Sequence, residues 1–250
     1  MTGTLYLIPT TLSAPDSASD LLLASIIPDE VQKLTASLDY FIAENAKTAR
    51  AFLKLISRRY PLARPLQEIV IGELSVNTPV SELPGLLAPL LAGRNGGLVS
   101  EAGVPAVADP GANLVRLAHQ YNVQVRPMVG PSSLLLAIMA SGLNGQSFAF
   151  NGYLPTDPAQ RSKRLKTLED RSRLDKQTQI FIETPYRNQT LLEALAHTCM
   201  ATTLICVATE LTTQHECIKT QSAMDWRSDL AKEKSPDFHK KPTVFLFLAM

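Results

Sequence analysis

The sequence predicts an α/β protein made of two α/β halves. Short apolar runs such as "TLYLIPT", "LDYFIAE" and "TQIFIETP" alternate with segments whose apolar residues fall at helical spacing. Such alternation is the pattern of layered α/β domains. A break rich in Gly and Asn at residues 142–145 interrupts the alternation, and the pattern then restarts. The expected domains are therefore 1–144 and 145–250.

Each element has a local reason. "TLYLIPT" is apolar and closed by Pro9, as a buried strand is. Residues 21–34 are loosely helical in spacing and interrupted at Pro28. "LDYFIAE" is a second strand. In "NAKTARAFLKLISRRY", Ala49, Phe52, Leu53 and Ile56 repeat at helical spacing. "GRNGG" is a turn, "GLVS" a third strand, "ANLVRLAHQY" an amphipathic helix, and "VQVRPMV" alternates like a strand. Residues 130–133, Gly-Pro-Ser-Ser, start a helix, because a serine side chain satisfies free amides of the first turn. "LLLAIMASG" is apolar almost all round, which predicts a buried helix ended by Gly142. Further on, "SFAFNGYL" reads as a strand and "DPAQRSKRLKTLEDRSRL" as a basic helix with Pro158 near its start. "TQIFIETP" is a strand and "RNQTLLEALAHTC" a helix, and "TTLICVATEL" and "TVFLFLAM" are strands.

Composition narrows the function classes. The chain has 250 residues, 45% hydrophobic and 19% charged, with a net charge of +1. That balance is ordinary for a globular protein and requires neither a nucleic-acid nor a membrane partner overall. The cysteines Cys199, Cys206 and Cys217 form no C-x-x-C pair, and "MTGTLYLIPTTLSAPD" has no signal-peptide pattern; reduced thiols in the cytoplasm are expected. No apolar run approaches a membrane span. The histidines (His119, His197, His215, His239) are scattered without ligand spacing, so no metal is expected.

The chain lacks G-x-x-x-x-G-K-[ST], G-x-G-x-x-G and G-x-S-x-G. What remains is "GGLVSEAGVPAVADPGANLV", residues 96–115: strand, loop, helix. In open α/β sheets, ligands bind beyond the carboxyl ends of strands. Glycines admit close backbone approach, prolines stiffen the loop, and carboxylates suit hydroxyls or a cation. The loop is built to hold a ligand, with little in it that could attack one. The same residue types also make a tight structural turn with Asp109 as a helix cap.

The loop resembles the S-D-A-G-T-P-x-I-S-D-P-G loop of the tetrapyrrole methylase superfamily, the class III S-adenosylmethionine-dependent methyltransferases. It is most similar to the branch that includes an enzyme methylating a ribose 2′-oxygen of small-subunit ribosomal RNA. The likeness runs in order along most of the chain. "GTLYLIPTTL" resembles G-T-L-Y-V-V-x-T-P-I-G-N, and "FIAENAKTARAFL" resembles A-A-E-D-T-R-x-T-x-x-L-L. "MVGPSSLLLAIMASGLNGQSFAFNGYLP" is similar to L-P-G-P-S-A…A-L-x-A-S-G-L-P…F-x-F-x-G-F-L-P. "FIETPYR" is similar to F-Y-E-S-P-H-R, and "TELTTQHE" to R-E-L-T-K-x-H-E.

The resemblance implies two domains with S-adenosylmethionine in the cleft between them, a homodimer, and ribosomal RNA as acceptor. It implies donor contacts from Ser100, Glu101, Ala102, Gly103, Pro105, Ala106, Val107, Asp109 and Gly111, and from Pro131, Ser132 and Ser133. The second domain would add Thr184, Tyr186, Glu210 and Leu211. Methyl transfer needs in-line alignment more than a protein nucleophile, which accounts for the loop's chemistry. A hydroxyl acceptor gains from a general base; Glu101, Glu183, Asp109 and His215 are candidates, the first two preferred.

The departures are specific. "TTLSAPD" lacks the family's Gly-Asn, Glu101 stands where Asp is usual, and Thr209 and Thr213 replace the Arg and Lys of R-E-L-T-K. "KKPTVFLF" lacks Gly-Glu. The chain reads as a short, divergent relative whose acceptor is less defined than its donor. The alternatives are a tetrapyrrole or other small-molecule acceptor, and a non-catalytic protein that binds the donor. The basic helix (Arg161, Lys163, Arg164, Lys166, Arg171, Arg173, Lys176) reads as a phosphate contact or as a solvated face balanced by Glu169, Asp170 and Asp175. Tyr186 and Arg187 are candidates to stack on or pair with a nucleotide.

Overall fold

Five parallel strands build the first sheet: β1 (Thr4–Ile8), β2 (Tyr40–Ala43), β3 (Val70–Glu73), β4 (Gly96–Val99) and β5 (Gln124–Pro127). Their order is β3-β2-β4-β1-β5. The structure is a computed structural model and describes residues 1–13 and 20–250. Residues 14–16 of the "TTLSAPD" departure lie outside the described residues.

Strand periodicity sends alternate residues to opposite faces. Tyr6, Ile8, Phe41 and Ala43 meet α1 (Asp20–Ile26), α2 (Asp29–Ser37) and α3 (Ala46–Ser57). Leu5, Tyr40, Ile42 and Leu98 meet α4 (Leu83–Leu91) and α5 (Gly111–Gln120). Both faces are covered, so the central strands are apolar without a polar alternation. The break at Pro28 separates α1 from α2, as its missing N–H and fixed φ require. Asn45 caps α3 by accepting the backbone N–H groups of Lys47 and Thr48.

The second sheet has β6 (Phe148–Phe150), β7 (Thr178–Ile182), β8 (Leu204–Thr209), β9 (Cys217–Ser222) and β10 (Thr243–Leu248), in the order β6-β7-β10-β8-β9. Only β6 and β7 run parallel; the other pairings are antiparallel. Three helices, α7 (Pro158–Asp175), α8 (Asn188–Thr198) and α9 (Ala223–Ala231), contribute to a core around Phe181, Trp226, Phe245 and Phe247. Helix α6 (Ser133–Ser141) packs on β8, β9 and β10.

The chain divides into Met1–Ser132 and Ser133–Met250. Helix α6 therefore belongs with the second sheet, whereas the sequence places the division at the break after it. The expectation that α6 is buried almost all round is corrected. Ala137, Ile138 and Ser141 are buried, but Leu135 is 53% exposed and Met139 78% exposed. Apolar composition does not fix which side a helix covers; only the stripe facing the sheet is sealed. No helix among the described residues is long and apolar enough to cross a membrane.

Candidate functional site

Register brings four segments of the first unit to one edge of its sheet. Ile8 pairs with Val99, Ala43 pairs with Val99, and Leu7 pairs with Pro127. The residues that follow these strands leave side by side: 9–11, 44–45, 100–111 and 128–131. This is the carboxyl edge of a parallel sheet, where ligands of open α/β folds bind.

The loop 100–111 is held on all sides. Thr10 N donates to Gly103 O at 2.9 Å, and Thr10 Oγ1 donates to Ser100 O at 3.3 Å. Ser100 Oγ donates to Gly103 O at 3.0 Å. Thr48, on the first turn of α3, donates to Glu101 Oε1 at 2.5 Å. Asp109 closes the loop: its Oδ2 accepts Ala106 N at 2.8 Å and its Oδ1 accepts Gly111 N at 2.7 Å. Asp109 thus satisfies the first amide of α5 and also ties the loop across itself, uniting the cap and cradle readings.

That closure holds strained backbone. Ala106 and Ala108 both sit at positive φ, 65° and 63°. An L-residue there carries a steric penalty that persists only when its surroundings impose it. Gly103 is at φ +72°, and a Cβ on it would stand 3.0 Å from Leu12 Cδ2 and 3.1 Å from Pro131 O. Gly130 packs directly on the Pro9 ring, 2.2 Å from where its Cβ would be. The loop and the 128–131 turn are fitted to each other and to the residues after β1.

Carboxylates concentrate here. Burial, aided by the Asp109 and Glu101 charges, raises the Glu44 carboxyl, although the Glu101 backbone N–H partly offsets this. Burial also raises the Asp109 carboxyl, against the Gly111 and Ala106 amides that favour its charged form. Glu101 is exposed, and no hydrogen bond to its Oε2 occurs among the described residues. A pocket of about 370 Å³ adjoins the loop, lined by Ala108, Asp109, Pro110 and Asn113 on one side and Leu74, Ser75 and Thr78 on the other. Among the described residues, no group of three His, Cys, Asp or Glu side chains could hold a metal ion. Clustered negative charge and ordered backbone suit a cationic ligand bearing hydroxyl groups.

The remaining candidates lie in the second unit, apart from Pro131 and Ser132, which end the first. Ser133 opens α6. Glu183 follows β7 with its side chain 2% exposed; Oε1 accepts Arg187 Nη2 at 2.6 Å, Arg187 Nε at 3.1 Å and Thr184 N at 2.7 Å. Tyr186, in the 3-10 turn Pro185–Arg187, is 71% exposed. Glu210, at φ 51°, faces Lys241 Nζ at 3.4 Å, and Leu211 is buried. His215 is exposed, and its backbone N–H donates to Thr213 Oγ1. The structure thus groups Glu101 with Asp109, and Glu183 with Thr184 and Arg187.

Sequence reasoning missed Glu44, Thr48 and Thr10 at the loop. Glu44 and Thr48 lie in the quoted segment "FIAENAKTARAFL", and their polarity at a strand-to-helix junction was the available signal. Thr209 and the segment "KKPT" also prove to be one feature. Thr209 pairs with Thr243 across β8 and β10, their hydroxyls 3.3 Å apart and buried.

The chain resembles several proteins named ribosomal RNA small subunit methyltransferase I. It is 31% identical over 219 residues to that of Mesorhizobium japonicum, covering 86% of this chain and 66% of the relative. With that of Xylella fastidiosa it shares 34% over 150 residues, 60% of this chain and 54% of the relative. With that of Synechocystis sp. it shares 38% over 131 residues, 52% and 46% respectively. The chain spans about half the length of the Xylella and Synechocystis relatives and 66% of the Mesorhizobium one. Among solved structures, the methyltransferase CobJ matches with TM-score 0.60 at 17% identity over 99% of this chain and 95% of that one. Cobalt precorrin-4 methyltransferase CbiF matches with TM-score 0.57 at 14% identity, over 98% and 94%. At those identities the likeness is one of fold. No family model matches the chain.

Proposed function

Because this chain belongs to the tetrapyrrole methylase superfamily, we propose that it is a methyltransferase that moves a methyl group from S-adenosylmethionine to a ribose 2′-oxygen of ribosomal RNA. The observation that carries this reading is the loop 100–111, held rigid by Asp109 and Thr48 and rich in carboxylate. It fits a donor whose sulfonium is cationic and whose ribose offers hydroxyls. When bound, S-adenosylmethionine supplies an electrophilic methyl group.

The chain's own residues then position and exchange a proton. The backbone of 100–111 and 128–131 orients the donor, and its order is imposed before binding, which lowers the entropy lost on alignment. Glu101 is the preferred base: Thr48 fixes its Oε1, leaving Oε2 to accept the acceptor's proton. Glu183 is already committed to Arg187 and Thr184, so in this reading it orients that turn and is the weaker candidate for the base.

Calorimetric titration with S-adenosylmethionine and its demethylated product tests the donor; absence of binding at millimolar concentration sinks it. Transfer of labelled methyl to small-subunit ribosomal RNA, free and in ribosomal particles, tests the acceptor. A tetrapyrrole acceptor is the second reading, favoured by the cobalamin-pathway neighbour in fold. Labelling of a porphyrin precursor, with none of RNA, would establish it. Donor binding without turnover on either substrate would leave a donor-binding protein. We also infer a cytoplasmic homodimer; light scattering at the mass of one 27.3 kDa chain would refute the dimer.

A further inference from the structure

One edge of the second sheet collects an exposed ring and a lysine with no ion-pair partner among the described residues. Strands β6 and β7 end there, antiparallel β10 begins there, and β8 ends opposite Thr243. The segments 183–187, 210–216 and 237–242 therefore meet at this edge. Lys240 N donates to Pro185 O at 3.2 Å, stitching two of them together.

Tyr186 stands out of this surface, 71% exposed. The His239 ring meets it edge-on at 6.4 Å, and Lys240 Nζ lies 5.8 Å from its centroid. The neighbouring cations are committed: Arg187 to Glu183, and Lys241 to Glu210 and Asp237. Among the described residues, no carboxylate lies within salt-bridge distance of Lys240 Nζ. An exposed aromatic ring with an ammonium over it that has no carboxylate partner among the described residues is the chemistry of a base-stacking site with a phosphate contact.

The surface is held rigid from beneath. Asn188, fully buried, donates through Nδ2 to Phe238 O at 2.9 Å and Lys241 O at 2.8 Å. Phe238 is buried edge-on against Phe245. His239 and Lys240 are thus pinned on both sides. Lys240, Glu210 and Thr212 all hold positive φ, 60°, 51° and 69°. The Thr212 hydroxyl is shielded from solvent and has no hydrogen-bond partner among the described residues. Strained backbone and an orphaned polar atom at one edge are marks of a functional surface.

We propose that Tyr186, His239 and Lys240 form a docking platform for an unpaired nucleotide of the RNA, its base stacked on Tyr186 and its phosphate on Lys240. This rests on the RNA reading of the acceptor. Lys163 and Arg164, exposed and without ion pairs among the described residues, sit in the first half of α7, which the chain reaches from β6 at this same edge. They extend the platform as backbone contacts.

The test uses the full-length protein and a fluorescein-labelled single-stranded oligoribonucleotide of roughly ten nucleotides, the site size of a small binding groove. Tyr186→Ala weakens binding about tenfold, and Tyr186→Phe keeps it, because stacking needs the ring. Lys240→Ala lowers the slope of log affinity against log salt by about 0.7, one phosphate contact on a single strand. Calorimetry with S-adenosylhomocysteine stays unchanged in Lys240→Ala, which is outside the donor contacts that the resemblance implies. Tyr186→Ala binding the oligonucleotide within about twofold of wild type, or losing S-adenosylhomocysteine binding to the same degree, overturns the platform. If wild type methylates ribosomal RNA and Tyr186→Ala shows the same KM, the platform fails and the RNA reading stands. A wild type that neither binds nor methylates RNA overturns the RNA reading itself.

Discussion

Replacing Asp109 by Ala separates loop order from fold stability. The carboxylate accepts two backbone amides, at 2.8 and 2.7 Å. A hydrogen bond to a charged group contributes about 1.5–3 kcal/mol, and partial exposure argues for the lower end, about 3 kcal/mol for the pair. Those bonds oppose Ala106 and Ala108, each held at positive φ at a cost of about 1 kcal/mol. In Asp109→Ala the loop relaxes and recovers about 2 kcal/mol, so global stability falls by only about 1 kcal/mol, a Tm loss of about 2–4 °C at this size. The held conformation now lies about 2 kcal/mol above the relaxed one, and S-adenosylhomocysteine affinity falls about thirtyfold. Asp109→Asn keeps one acceptor oxygen and loses about fivefold. Calorimetry beside thermal melts makes the comparison. Affinity of Asp109→Ala within about twofold of wild type would refute the reasoning, because order imposed by Asp109 would then not matter to the donor.

Glu44→Gln is expected to raise stability at neutral pH. The wild-type carboxyl is pushed up by burial and by Asp109 and Glu101, so its ionised form opposes folding. The gain shrinks as pH falls through the raised folded value and vanishes below the ordinary value of 4.5, where both states are protonated. Melts across that range check the sign, and a destabilised variant at neutral pH refutes it. Gly130→Ala drives a Cβ to 2.2 Å from the Pro9 ring, which cannot swing aside, and should destabilise the first unit by about 1–3 kcal/mol. Circular dichroism must report this, since the single tryptophan, Trp226, lies in the second unit. Cys217 is exposed while Cys199 and Cys206 are buried, and burial pushes the Cys199 thiol up to about 12. A thiol reagent at mildly alkaline pH should therefore titrate one cysteine in the native protein and three in denaturant; a second native equivalent would contradict the burial.

The sequence disclosed those elements whose own residues impose their structure. β1, β2, β4 and β7 are apolar because they are covered, and Pro158 and Gly142 punctuate where they stand. β3 and β9 escaped notice because "VIGE" and "CIKTQS" bury little and are short of apolar residues, a shortage that their edge positions allow. α4 was hidden by Pro84 and Pro89, one admitted at its start and the other inside it. At the site, loop composition pointed to 100–111, but Thr10, Glu44 and Thr48 act there through register between distant strands. No local pattern encodes that register. Glu183 shows the converse: its place after a strand was legible, while its commitment to Arg187 required the 3-10 turn.

The threonine pair at the end of β8 changes how this chain's divergence should be counted. Thr209 and the "KKPT" segment stand far apart in sequence, and each taken singly resembles a lost contact with a substrate. Thr243 touches Thr209 across the ladder, and Asn188 reaches the same hydroxyl at 3.1 Å. Position 209, where the family motif has Arg, and the segment that lacks its Gly-Glu meet here as a neutral pair at one buried cross-strand position. The two departures share one environment, and an Arg at position 209 facing Thr243 would be an unbalanced ion in a site 3% exposed. Counted by contact instead of by position, the two departures are one change in the packing of the second sheet.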